Sequence, residues 1–301
     1  MIGYRQMSVK SRQLLTWIGA ILAFSGTIFV GIRLNDYRVQ IDFSQFKLLT
    51  WVAVLAFTCI YGVASVLLAL AWRELLLLFG SNHSRMWAIR VYGMTQLAKY
   101  APSNIMHFAG RQAMGMAADI GAWVLAKATI WELGLLAFTG SLFSILILPF
   151  LLPEIPSLFL AAGFILVIVL VASISYRFVA PHVMRAFIWH VMFLSISSIL
   201  FVSILFLLNG SQVVEPSKLF LFGGAFIVAW LIGLVTPGAP AGIGVRETVI
   251  LLLLSPLLPE SQLLVALMFS RIVTVCGDVV FFLIASLCSK TKPEAVLQQT
   301  L

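Results

Sequence analysis

Apolar residues run along this chain in blocks of about 18 to 25, each long enough to cross ~30 Å of hydrocarbon as a helix. Short polar or proline-rich stretches separate the blocks. The pattern predicts helices over about Leu14–Ile32, Leu48–Ala71, Trp123–Leu148, Leu158–Tyr176, Phe187–Leu208, Leu219–Val235, Thr248–Leu258 and Gln262–Leu287. Two stretches break it. From about Ile89 to Gly121 the apolar run carries Arg90, Gln96, Lys99, Pro102, Asn104, His107, Arg111 and Asp119. Lipid would reject that polarity, so the stretch is expected as a broken or re-entrant hairpin facing protein or a wet cavity. The second break is Thr236-Pro237-Gly238-Ala239-Pro240-Ala241-Gly242-Ile243-Gly244-Val245-Arg246-Glu247.

The expectation is an all-α fold: a polytopic integral membrane helical bundle of about eight transmembrane helices plus the broken elements. It forms a single transmembrane domain over residues 1–301, with short tails at 1–13 and 289–301. Composition agrees. Of 301 residues, 61% are hydrophobic and 10% charged, against about 25% charged in soluble domains. A soluble enzyme, a disordered chain and a disulfide scaffold are excluded. The run Leu14–Ile32 is longer than a signal-peptide core and reads as an uncleaved first helix.

The net charge of +8 would suggest nucleic acid in a soluble protein. In a membrane protein, bases gather at helix ends and set orientation, so no nucleic-acid partner is expected. The loops at 149–157 and 255–261 lack Lys and Arg, the loop at 177–185 has two Arg, and both termini are basic. Both termini are therefore expected in the cytoplasm. The first loop, with Arg33, Arg38 and Lys47, fits that rule poorly.

About nine charges remain inside apolar or broken segments: Lys99, Arg111, Asp119, Lys127, Glu132, Arg246, Glu247, Arg271 and Asp278. Ionisable groups there mark function or structural ion pairs. Arg271 and Asp278, seven residues apart, share a helix face but are too distant for an i,i+4 bridge. Near Arg246 a helix begins, its first N–H groups unpaired and its dipole positive. With an arginine fork, that end suits an anion, phosphate above all. Gly242 and Gly244 allow close backbone approach. Paired broken elements at the midplane point to a transporter site. The candidate phosphate-binding residues are Lys99, Arg111, Arg246 and Arg271. Their charge partners are Glu132, Glu247 and Asp278. The helix breaks are Pro102, Pro237, Gly238, Pro240, Gly242 and Gly244.

Cys59, Cys276 and Cys288 have no paired spacing, and the four histidines no metal spacing. No metal, cofactor, nucleophile triad or nucleotide loop is expected, and the chain reads as a non-enzyme.

Lys99-Tyr100-x-Pro102-Ser103-Asn104, Gly110-Arg111, Glu132, the Gly242-Ile243-Gly244-Val245-Arg246-Glu247 element and Arg271 form a set. It resembles the lysylphosphatidylglycerol synthase transmembrane-region family, the flippase half of the bacterial multiple peptide resistance factor, over nearly the whole chain. The Lys-Tyr-x-Pro element looks most like stand-alone members found beside polysaccharide and glycosyltransferase genes. The resemblance implies a multi-pass protein of the bacterial inner membrane that moves an anionic or polyprenyl-phosphate lipid between leaflets. By motif position, Arg111, Glu132, Arg246, Glu247 and Arg271 would line its cavity. The soluble catalytic domain of the lysyl-transferring enzyme has no counterpart in these 301 residues, so the family name implies no such activity. Ala239-Pro240-Ala241 stands where many members are shorter and richer in glycine. Two other roles stay open: a non-transporting membrane partner of a glycosyltransferase, and an integral-membrane transferase, for which Asp36, Asp42 and Glu154 are thin material.

Overall fold

A computed structural model of the chain describes residues 46–100, 106–150, 152, 154–210, 218–236, 240–242 and 244–288. The helix expected over Leu14–Ile32, both tails, Pro102, Pro237 and Gly238 lie outside them. Every regular element among the described residues is helical.

Leu48–Ala64 (α1) and Val66–Leu78 (α2) follow each other as one long span. The two are separated at Ser65, whose hydroxyl donates to the Tyr61 carbonyl at 3.0 Å. Arg85–Gln96 (α3) starts on Ser84, whose Oγ accepts from the Trp87 N–H, and tightens into a 3-10 turn at Leu97–Tyr100. Met106–Ala117 (α4) follows. Ala122–Leu142 (α5) continues as 3-10 helix over Phe143–Phe150, where Pro149 sits. Ser157–Ile174 (α6) ends in a π turn at Ser175–Val179. Pro181–Asn209 (α7) has proline at its first turn, where a missing N–H costs nothing. Leu219–Val235 (α8), a 3-10 turn at Pro240–Gly242, Val245–Leu254 (α9) and Glu260–Leu287 (α10) complete the order.

Five of these helices are long and apolar enough to cross a membrane: Leu48–Leu78, Ala122–Phe150, Ser157–Val179, Pro181–Asn209 and Glu260–Leu287. The described residues thus supply five such helices rather than the expected count of eight. Of the other three, Leu14–Ile32 lies outside the described residues and Leu219–Val235 is a shorter apolar helix of 17 residues. The stretch read as a crossing at 248–258 is the ten-residue α9, about 15 Å long, which folds back on α8. Gly233 of α8 and Gly242 come so close that a Cβ on Gly242 would stand 2.9 Å from the Gly233 Cα.

Side-chain contacts fix which ends lie together. Glu74 at the end of α2 meets His182 (2.7 Å) and Arg185 (3.6 Å) at the start of α7. Arg90 of α3 donates to the Cys288 carbonyl just past α10. Lys127 of α5 lies over the Phe79 ring. These ends form one face, which carries Arg73, Arg85, Arg90, Lys127, Arg177 and Arg185. Among described residues, the opposite face holds Lys47 and Lys218 with Glu154 and Glu260.

The two broken elements therefore enter from opposite faces. The hairpin α3–α4 starts and ends at the basic face, closed by Thr95 packing on Gly110. The hairpin α8–α9 starts and ends at the other. Their tips meet inside, where Leu97 and Tyr100 pack with Ala241 and Val275. Small residues let helices approach elsewhere: Gly62 of α1 faces Gly277 and Val280 of α10 with no room for a Cβ.

Candidate functional site

The meeting of the two tips leaves a cavity of about 90 Å³. That is room for a compact polar group and a few waters, and not for a whole lipid. Gln96, Lys99, Tyr100 and His107 line it from the first hairpin, and Ala241 and Arg246 from the second. Tyr61, Glu132, Arg271 and Thr274 add polar wall from α1, α5 and α10, and Phe193 and Trp230 add apolar wall. Along α10, Arg271 and Asp278 lie sixteen and nine residues from Leu287, or about 24 and 14 Å from the basic end of a helix about 42 Å long. The cavity is thus near mid-depth.

Three ion pairs, buried or partly buried, surround it. In the first, Lys99 Nζ lies 2.7 Å from Asp278 Oδ2. The Tyr100 hydroxyl donates to the same oxygen, and Gln96 Nε2 donates to Oδ1 at 3.2 Å. In the second, Arg111 Nη1 spans both oxygens of Glu132 (2.9 and 2.8 Å), and the Tyr92 hydroxyl donates to Oε1 at 2.8 Å. The Arg111 guanidinium is enclosed by the rings of Tyr92 (4.2 Å), Phe108 (4.9 Å) and Trp72 (5.6 Å), a favourable seat for a desolvated cation. In the third, Arg271 Nε donates to Glu247 Oε1 at 2.5 Å. Its Nη atoms donate to the carbonyls of Ala241 (3.1 Å) and Gly242 (3.2 Å).

That third pair braces the turn of the second hairpin. Ala241, Gly242 and Gly244 all have positive φ, at 50°, 69° and 84°. Glu247 caps α9 by accepting from the Gly244 N–H at 2.8 Å. Arg271 holds both the cap and the carbonyls that the break leaves free.

Arg246 differs from the other cations. It is 7% exposed, packs its stem on Gly233 and Gly242, and lies over the Phe226 ring at 5.1 Å. It has no hydrogen bond or ion pair among the described residues. A desolvated guanidinium left without an anion costs several kcal/mol. Four interior cations, Lys99, Arg111, Arg246 and Arg271, face three carboxylates, so one positive charge is left over, and it sits on the cavity wall.

Of the residues chosen from sequence, Lys99, Glu132, Arg246 and Arg271 line the cavity. Arg111 does not; it stands behind Glu132, which its Nη1 pairs, while its buried Nε and Nη2 have no hydrogen-bond partner among the described residues and face its ring cage. Glu247 and Asp278 likewise stand behind the wall, each holding a wall cation. Pro240, Gly242 and Gly244 fall in the turn of the second break. Asp119 and Lys127 lie toward the basic face. Tyr61, Tyr92, Tyr100 and Trp230 were not singled out, since an aromatic residue in an apolar helix reads as core. Only Tyr100 carried a signal, being adjacent to Lys99 at the break. His107 lines the cavity, and its buried Nδ1 has no hydrogen-bond partner among described residues. No group of three or more His, Cys, Asp or Glu suited to a metal occurs among the described residues. Compared with known proteins, the chain matches no family model and no curated protein.

Proposed function

We propose that the protein binds the phosphate of an anionic or polyprenyl-linked lipid at Arg246 and carries it between the leaflets of a bacterial inner membrane. The observation that carries this reading is Arg246, a buried guanidinium with no hydrogen bond or ion pair among the described residues, on the wall of a cavity between two opposed hairpins. A phosphate oxygen would supply the missing acceptor, and Arg suits it geometrically. The α9 N-terminus adds a favourable dipole. Hairpins that enter from opposite faces give each leaflet a route to the same site. The resemblance to the lysylphosphatidylglycerol synthase transmembrane region favours the same class.

The basic face is then cytoplasmic. With Leu14–Ile32 as a sixth crossing, both termini lie on that side. The eight apolar segments then make six crossings and one hairpin, α8–α9, beside the polar hairpin α3–α4.

Purified protein in liposomes with one leaflet of labelled anionic lipid tests the reading. Lipid should redistribute with wild-type protein and not with Arg246→Glu. Equal distribution kinetics with and without protein, across several anionic lipids, would sink it. A second reading is favoured by the small cavity: a membrane partner that presents a lipid-linked substrate to a glycosyltransferase without moving it. Lipid binding without redistribution, together with a co-purifying transferase, would select that reading.

A further inference from the structure

Lys99 serves two sides. Its ammonium is the charged partner of Asp278, yet its side chain is 18% exposed and lines the cavity, whereas Asp278 is 0% exposed and lies behind the wall. The other paired cations are committed. Arg111 is caged by rings and a two-oxygen contact, and Arg271 is held by a carboxylate and two carbonyls. Lys99 alone is a point charge on a flexible stem with three rotatable donors. Lys99 and Arg246 line the same cavity, so an anion bound there would compete with Asp278 for the ammonium.

We infer that anion binding in this cavity is coupled to uptake of one proton by Asp278, through the lysine that the two anions share. This rests on the proposal that the cavity binds a lipid phosphate, and it adds the coupling ion. When Lys99 turns to the bound anion, Asp278 keeps only the neutral donors Tyr100 and Gln96. A fully buried carboxylate without a counter-charge is unfavourable by several kcal/mol, and a proton removes that cost. The proton comes from water and bonds to Oδ2. The acid can then donate to the Tyr100 oxygen while Gln96 still donates to Oδ1. Lys99 remains an ammonium throughout. Release of the anion returns Lys99 to Asp278 and expels the proton. Among the described residues, the other titratable groups near Asp278 are Tyr61 from α1 and Cys276 from α10 itself, with Arg271 two turns away along α10. A phenol and a thiol carry no positive charge and Arg271 is held by Glu247, so none can replace Lys99.

The test adds short-chain phosphatidylglycerol to purified full-length protein in weakly buffered detergent and follows both binding and the pH of the solution. The phosphodiester keeps one charge throughout, and short-chain phosphatidylcholine is the control. Wild-type protein should take up about one proton per bound anion, and its Kd should rise by up to tenfold per unit as pH rises. Asp278→Asn should bind without uptake and with a flat pH profile. Should Asp278→Asn fail to fold, Lys99→Gln replaces it, since without the shared cation binding no longer changes the surroundings of Asp278 and uptake is lost. Binding by wild-type protein without proton uptake, or uptake that persists in the variant used, overturns the coupling and leaves the anion site standing. Absence of any binding by wild-type protein overturns the anion site, and the coupling with it.

Discussion

At the residue scale, the interior charges divide by what each cation touches. Among the described residues, Arg246 packs on Gly233, Gly242 and the Phe226 ring and makes no hydrogen bond or ion pair, so its charge is available to a ligand. Charge-assisted hydrogen bonds contribute about 1.5–3 kcal/mol. Arg246→Gln should therefore weaken binding of an anionic lipid by roughly 10- to 150-fold in a direct binding assay. Arg246→Glu should abolish binding while the protein still inserts and purifies as before. Arg111 belongs to the other class. Arg111→Met leaves Glu132 buried without its cation, which should lower stability by about 3–5 kcal/mol. Adding Glu132→Gln keeps an acceptor for Tyr92 and should recover most of the loss. Thermal unfolding of the two variants in detergent checks this. An unchanged Tm for Arg111→Met would remove the support role assigned to the pair.

At the scale of the element, the second hairpin depends on how closely its two arms approach. A Cβ on Gly242 would lie 2.9 Å from the Gly233 Cα and 3.1 Å from Arg246 Cδ, at a φ of 69°. Gly244 has a φ of 84° but open space around it. Both substitutions meet backbone strain of order 1–3 kcal/mol, and only Gly242→Ala also forces the arms apart. Gly242→Ala should thus lower the melting temperature clearly more than Gly244→Ala. It should also weaken anion binding, because it displaces the Arg246 stem. Equal effects in melting and binding assays would mean that strain alone matters at this turn. The glycines were visible in the sequence as a break. Which of them holds the arms together was not, since that depends on Gly233, nine residues earlier in a helix that reads as uniformly apolar.

At the scale of the whole molecule, the two hairpins and the charge asymmetry make one prediction about orientation. Asn82 lies at the basic face and Ser255 at the opposite face, both exposed. With Cys59, Cys276 and Cys288 replaced, a membrane-impermeant thiol reagent on intact cells should label Ser255→Cys and not Asn82→Cys. Labelling should reverse in inverted vesicles. Labelling of both from one side would contradict the opposed entry of the hairpins. The arrangement also shows how an apolar block can be shorter than a crossing. A block of 10 to 17 apolar residues is buried by its hairpin partner and its neighbours, so apolarity no longer reports a full traverse.

Much of this architecture was legible from residue order alone. Apolar block lengths set the helices, and Leu219–Val235 agrees end for end, because hydrocarbon thickness and the 1.5 Å rise leave little freedom. Polar residues and glycine-proline clusters marked both breaks, because free backbone groups at depth need partners and those residue types permit the turn. The set of interior charges was also legible, because an ionisable group inside an apolar run has few places to go. Pairing was not. Lys99 meets Asp278, 179 positions later, and Arg111 meets Glu132 rather than a ligand, because partner choice depends on which helix faces are brought together. Only the tertiary structure decided that three cations are paired with carboxylates, that Arg246 is left without one among the described residues, and that Lys99 stands between a buried carboxylate and the cavity. Local sequence sets how many charges lie inside; the packing of α10 against two opposed hairpin tips sets which one remains for a ligand.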